Sequence, residues 1–229
     1  MFHITESTVQ EAAISHLRRY YRRRSWGRTV YAQAEARTKG VYGNKRADGL
    51  LVFQHWLWGE TTVSLEAKSY KTLPAIRPVW NFKLWLINSL RAGMVICIGT
   101  GLVVALWRMD DWLWAFILLM NSWLLGALAY GLISRHHPSH RTVGVLQQLS
   151  QYPAHEQWLA FSQDSWSSLK IKDREFLLIM CRQHRTGLLL VSGQRKVKKL
   201  LKPRRQRSWG KNYLDHYSKS QQIRQEVFS

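Results

Sequence analysis

Cysteine is scarce in this chain, with two among 229 residues. Cys97 falls in an apolar run and Cys181 in a segment of helical pattern, so no disulfide is expected. No Cys spacing for a thiolate metal site exists either. Acid is also scarce. Asp and Glu number 14 against 34 Lys and Arg, a formal net charge of +20. That balance favours an anionic partner: nucleic acid, an anionic membrane surface, or both. The opening MFHITES lacks the basic-then-apolar pattern of a signal peptide, and none is expected. Tryptophan, by contrast, is abundant at 12 residues. Trp suits a bilayer interface and also stacks on bases, so it does not choose between the two partners.

Two apolar runs occupy the middle of the chain. Ala92 to Trp107 is apolar throughout. Trp112 to Ile133 spans 22 residues with Asn121 and Ser122 as its clear polar exceptions, enough to cross a bilayer's hydrocarbon core. The first run reaches that length if it starts near Leu84 and Arg91 snorkels. Arg108-Met109-Asp110-Asp111 separates the runs, and Trp107, Trp112 and Trp114 flank it as an aromatic belt would. The pattern predicts a transmembrane helical hairpin. A buried hairpin of a soluble core would need more covering chain than remains. Arg108 is countered by Asp110 and Asp111, while Arg91, Arg135 and the other cations lie on the flanks. The positive-inside rule therefore places both flanks in the cytoplasm. The expected location is the inner (cytoplasmic) membrane of a bacterium.

Lys45 to Lys68, KRADGLLVFQHWLWGETTVSLEAK, reads as two strands around a turn. Side chains two apart on a strand share a face. Glu66 and Lys68 therefore project together, and Val63, Leu65 and Ala67 take the other side. Pairing the strands as a hairpin returns Asp48 to the neighbourhood of Glu66. Two carboxylates and a lysine then converge at one end of an apolar hairpin. Carboxylate oxygens suit a hard cation such as Mg²⁺, usually held by one or two carboxylates plus substrate phosphates. Ordinary surface charges on an exposed hairpin are the competing reading.

Asp48 followed by Glu66-Ala67-Lys68 resembles the signature of the PD-(D/E)xK nuclease superfamily, the restriction-endonuclease-like fold. That family often has Pro at position 47, where this chain has Ala. The resemblance implies an α/β core with Asp48, Glu66 and Lys68 as catalytic residues and Mg²⁺ or Mn²⁺ as cofactor. It also implies that the first helix can add an acidic metal ligand. Thr5 to about Arg24 reads as that helix, with Thr5 or Thr8 at its start. Glu6 lies at the edge of its apolar stripe of Val9, Ala13, Leu17 and Tyr20, which makes it the candidate ligand. Glu11 is the fallback. Both also suit a helix start as simple macrodipole partners. Val30 to Ala36 reads as the first strand, with Glu35 loosely aimed at the site. Lys39, Lys45 and Arg46 before Asp48, and Lys71 after Lys68, are placed for phosphate contacts.

Beyond the apolar runs, His136, His137 and His140 surround Pro138 and read as a linker. Arg141 to Gln151 reads as a helix, Gln157 to Ser162 as a strand, Ser165 to His184 as a helix and Leu188 to Ser192 as a strand. Gln194 to Arg207 is a basic run with an edge strand through Val197 to Leu201. Without the hairpin the order is αβββαβαβ. The expected fold class is thus α/β, a restriction-endonuclease-like core interrupted by an inserted two-helix transmembrane hairpin. The expected divisions are 1–78 and 136–229 as the two parts of that core and 79–135 as the membrane segment.

On this reading the protein is a membrane-anchored, metal-dependent nuclease that hydrolyses phosphodiester bonds, foremost in DNA, with foreign DNA at entry as one substrate. Lys68 would orient water and stabilise charge in the transition state, and the basic flanks would hold phosphates. Its partners are nucleic acid and the lipid bilayer, and homo-oligomerisation is compatible with the pattern. Two rivals are a non-catalytic membrane scaffold with a basic domain that binds nucleic acid, lipid or protein, and a tethered nucleic-acid binder with a decayed site. The first does not account for an acidic pair plus lysine ending two adjacent apolar strands, and the intact Asp, Glu and Lys argue against the second.

Overall fold

The computed structural model describes residues 4–25, 29–107, 111–135, 137, 140–206 and 212–228. The expected tip, Arg108 to Asp110, lies outside the described residues, as do His136, Pro138 and Arg207. Two compact units divide the chain, Met1–Pro78 with Val143–Ser229 and Val79–Thr142.

The first unit is mixed α/β. It begins with α1 (Glu6–Arg22), then β1 (Val30–Arg37), β2 (Arg46–His55), β3 (Gly59–Lys68) and the short α2 (Leu73–Ile76). It resumes with α5 (Gly144–Leu149), β6 (Glu156–Ser162), α6 (Gln163–Ser168), α7 (Ile171–Gln183), β7 (Gly187–Val191), β8 (Val197–Leu201) and α8 (Ser220–Phe228). Six strands form one sheet in the order β1-β2-β3-β6-β7-β8. The β1–β2, β2–β3 and β7–β8 pairs are antiparallel, and β3–β6 and β6–β7 are parallel. The central strands are buried on both faces, as parallel pairing requires.

Alternation along the strands sorts the core. Val9, Ala13 and Leu17 of α1 pack with Leu51, Phe53, Val63, Leu65, Ala67 and Trp158 on one face. Each of these fully buried Leu and Val side chains contributes about 1.5–3 kcal/mol relative to exposure. Leu159, Phe161, Leu188 and Leu190 pack under α5 and α7. Leu50 and Val52 pack under Ile223 and Val227 of α8. Gly49 lets α1 approach beside the first carboxylate. A Cβ there would lie 3.1 Å from Leu65 and 3.2 Å from Ile14.

Several local expectations shift. Thr5 alone caps α1, its hydroxyl accepting from the Thr8 amide at 3.3 Å. The helix therefore starts at Glu6, capped by the first of the two expected threonines and not by Thr8. The single helix expected from Ser165 to His184 is two, because Leu169 turns extended and buries itself in the core. Arg141–Val143 is a short strand before the helix expected from Arg141.

The second unit contains α3 (Phe82–Leu106) and α4 (Trp112–Ser134), which pack against each other. Asn81 and Asp111 cap them. Both are long and apolar enough to cross a membrane, and most of their apolar surface is exposed. Small residues sit where they meet. A Cβ at Gly93 would lie 2.4 Å from the Trp123 carbonyl oxygen, so only glycine permits this approach. Pro78–Trp80 (β4) and Arg141–Val143 (β5) pair as a separate two-stranded sheet.

Candidate active site

β2 and β3 bring the sequence-predicted triad together. Gly49 pairs with Leu65 in the antiparallel register, which sets Asp48 beside Glu66. The Ala67 amide donates to Asp48 Oδ2 at 2.7 Å and fixes that carboxylate on the β3 end. Lys68 Nζ donates to Glu66 Oε1 at 2.6 Å. Glu6, at the first turn of α1, approaches the same ammonium at 3.7 Å through Oε1. Its other oxygen accepts from the Thr72 hydroxyl at 3.2 Å. Three carboxylates and one lysine thus share one corner of the sheet.

Burial is the feature that separates this cluster from surface charge. Glu66 is 0% exposed, and its Oε2 has no hydrogen-bond partner. A buried carboxylate oxygen without a partner is costly to keep ionised. Burial and, second, the Asp48 charge push the Glu66 carboxyl up to about 7, against the opposing pull of Lys68. Burial likewise raises Asp48, although the Ala67 amide and Lys68 pull it down. Burial alone would depress the Lys68 ammonium, but Glu66, Glu6 and Asp48 outweigh it and hold its pKa above the ordinary value. Lys68 is therefore a fixed cation at neutral pH, between carboxylates that outnumber it.

No protein-family model, curated protein or solved structure matches this chain. The chemistry of the corner therefore rests on its own residues. Among the described residues, no group of three or more His, Cys, Asp or Glu is arranged to hold a metal ion. Asp48 and Glu66 are the carboxylate pair with an oxygen to offer, and the partnerless Glu66 Oε2 suits a hard cation. Glu6 is turned toward Lys68 and Thr72.

The other expected residues spread out. Glu11 meets Arg195 at 3.7 Å on the surface and does not reach the corner. Glu35, loosely aimed at the site by the strand pattern, instead sits on positive-φ backbone and pairs with Arg46 at 3.5 Å, both more than half exposed. Arg46 still lowers the Asp48 pKa through its charge. Lys71 is exposed in the turn Tyr70–Thr72 beside Glu6's partner. Lys39 and Lys45 are exposed in the connection between β1 and β2.

Four residues at the corner escaped sequence reasoning. Gln10 donates its side-chain amide to the Asp48 carbonyl oxygen, and Thr72 binds Glu6. Tyr152 donates to the Arg46 carbonyl oxygen at 2.7 Å and accepts from Gln148 at 3.3 Å. Burial raises the Tyr152 pKa, and the charges of Glu66 and Asp48 add to the rise. No sequence signal pointed to Tyr152, which lies beyond α5.

Proposed function

We propose that this protein is a membrane-anchored nuclease that hydrolyses phosphodiester bonds, foremost in DNA, at Asp48, Glu66 and Lys68. Its core is read as restriction-endonuclease-like, interrupted after β3 by a transmembrane hairpin of α3 and α4. The order α1-β1-β2-β3, then α5-β6-α7-β7, supports that core. The proposed location is the inner membrane of a bacterium with both flanks cytoplasmic. The observation that carries the activity is the buried, partnerless Glu66 Oε2 beside Asp48 and Lys68. A purely structural ion pair gains nothing from a second carboxylate and an orphaned oxygen at the same point.

Asp48 and Glu66 would hold Mg²⁺ or Mn²⁺, and Glu6 would become a third donor only by turning away from Lys68 and Thr72. Bound there, the cation supplies Lewis-acid polarisation of the phosphate and acidifies water. Lys68 holds a fixed positive charge where a phosphate oxygen gains negative charge. The Ala67 amide orients Asp48, and Thr72 orients Glu6. Exposed Arg46 and Lys71, with Lys39 and Lys45, bind flanking phosphates without reading sequence.

A non-catalytic membrane protein with a basic, polyanion-binding domain is the second reading. The closed Lys68–Glu66 bond favours it, because the lysine already satisfies one Glu66 oxygen. Purified full-length protein, incubated with Mg²⁺ and single- and double-stranded DNA and RNA, decides between them. Cleavage lost in Asp48→Asn and Glu66→Gln supports the nuclease. Wild-type protein that cuts nothing across the panel supports the scaffold.

A further inference from the structure

The far end of the β2–β3 hairpin carries a second unusual surface. Trp56, Leu57 and Trp58 are 62%, 55% and 54% exposed at its tip. Three consecutive large apolar side chains in water need an explanation that one scattered residue would not. The tip is separated from Asp48 by the length of β2, about 23 Å at the usual strand rise. It belongs to a different place from the carboxylate corner.

Cations interleave with the rings here. Arg205 lies over the Trp58 ring at 5.6 Å, anchored by a 2.9 Å hydrogen bond to Thr61. Arg24 and Lys199 both lie over the Tyr20 ring, at 4.5 and 4.8 Å. His55 stacks on Trp56, and the charges of Arg205 and Arg24 both reach it, adding to burial in lowering its pKa. His16 is depressed by burial, Arg19 and Lys199. Among the described residues, Arg24, Lys199 and Arg205 form no ion pair. The nearby carboxylate of Glu156 already accepts from the Tyr21 hydroxyl. Gathering unpaired cations in one strip costs electrostatic energy that an anionic ligand recovers.

We propose that the strip Lys199–Tyr20–Arg24–Arg205–Trp58, with Trp56, binds single-stranded nucleic acid, phosphates on the cations and unstacked bases on the exposed Trp56 and Trp58 rings. The inference rests on the nuclease reading for its polymer class and adds strandedness and a second contact surface. Cations set beside rings match a polymer that carries a phosphate beside each base. A duplex keeps its base faces stacked inside and offers the rings nothing. A lipid surface presents charge above apolar chains and offers no planar face to stack on Trp58.

The test uses the full chain carrying Asp48→Asn and Glu66→Gln, in neutral-lipid nanodiscs with EDTA, so that cleavage cannot interfere. Fluorescence anisotropy reads binding of a labelled oligothymidylate and of a duplex of the same length. Adding Trp58→Ala or Lys199→Ala weakens oligothymidylate binding about tenfold, the scale of one lost stacking or cationic contact. Duplex binding changes less than about twofold in Trp58→Ala. Both side chains are exposed, and an unchanged melting midpoint shows that the fold is kept. Unchanged oligothymidylate binding overturns the proposal, as does an equal loss on both ligands in Trp58→Ala or no binding by the parent. Loss of phosphatidylserine-vesicle association in Trp58→Ala, with oligothymidylate binding intact, assigns the strip to lipid and also overturns it. A wild-type chain that binds oligothymidylate but cleaves nothing defeats the nuclease reading alone.

Discussion

The two ends of the β2–β3 hairpin invert the usual arrangement in opposite ways. At the Asp48 end, groups that belong in water are inside: Glu66 is fully buried and Lys68 nearly so. At the tip, groups that belong inside are in water: Trp56, Leu57 and Trp58. The strands between obey the rule, with Leu50, Leu51, Val52 and Phe53 buried. The hairpin is regular between its two ends and departs from the rule only there. Buried polar groups and exposed apolar patches are the informative departures, whereas a buried Leu explains only stability.

The sharpest way to break this comparison uses two tryptophans. Trp158 is 0% exposed, with its indole N–H donating to Tyr21 at 2.7 Å. Trp158→Ala is expected to cost about 3–5 kcal/mol of stability. Trp58→Ala is expected to stay within about 0.5 kcal/mol, as surface changes do. Thermal melting of both variants checks this. A comparable loss in Trp58→Ala would make the tip part of the core.

Next in size is the effect at the carboxylate end. Asp48→Asn or Glu66→Gln is expected to cut the cleavage rate at least about a hundredfold, about 2.7 kcal/mol of lost charge stabilisation. Lys68→Ala should depress turnover while leaving cation binding largely intact, because its charge acts on phosphate. Cleavage rates and Mg²⁺ titrations of the three variants separate these roles. Equal cleavage in all three would remove the corner from the chemistry.

Much of this was legible beforehand, for identifiable reasons. Strand periodicity alone put Glu66 and Lys68 on one face, and an apolar stretch after Asp48 and another before Glu66 marked the hairpin. Long apolar runs carry their own signature, and α3 and α4 lie where those runs are. Contacts between distant segments were not legible. Gln10 meets Asp48, and Thr72 meets Glu6, across 38 and 66 positions of sequence. The cationic strip joins α1, the hairpin tip, β8 and Arg205, which only the sheet order brings together. The break at Leu169 was hidden because its burial in the core overrides a helical local pattern.

The pH dependence of cation binding is expected to be a smaller effect. Protons and Mg²⁺ compete for the Glu66 carboxylate, whose pKa is pushed up to about 7. Above that value the carboxylate is already ionised and affinity is flat. Below it, each pH unit should weaken Mg²⁺ binding about tenfold, or about 1.4 kcal/mol. Calorimetric titration across neutral pH reads the slope. In Glu66→Gln the slope near 7 should vanish, which a general effect of protein charge would not do.

The smallest expected effect distinguishes the two acids of α1. Glu6 approaches Lys68 at 3.7 Å and accepts from Thr72, whereas Glu11 holds Arg195 across an exposed 3.7 Å gap. An exposed pair of that kind is worth about 0–1 kcal/mol. Glu11→Gln should therefore leave cleavage unchanged and shift melting only slightly. Glu6→Gln keeps the size of the side chain and can still accept from Thr72, but it removes one negative charge from Lys68 and one donor oxygen from the corner. Mg²⁺ affinity should fall several-fold in Glu6→Gln, with little change in stability, because its side chain is more than a third exposed. Parallel calorimetry on the two variants settles which acid belongs to the corner. Equal Mg²⁺ affinities would leave Asp48 and Glu66 as the whole carboxylate set and make Glu6 a helix-start charge favoured by the macrodipole.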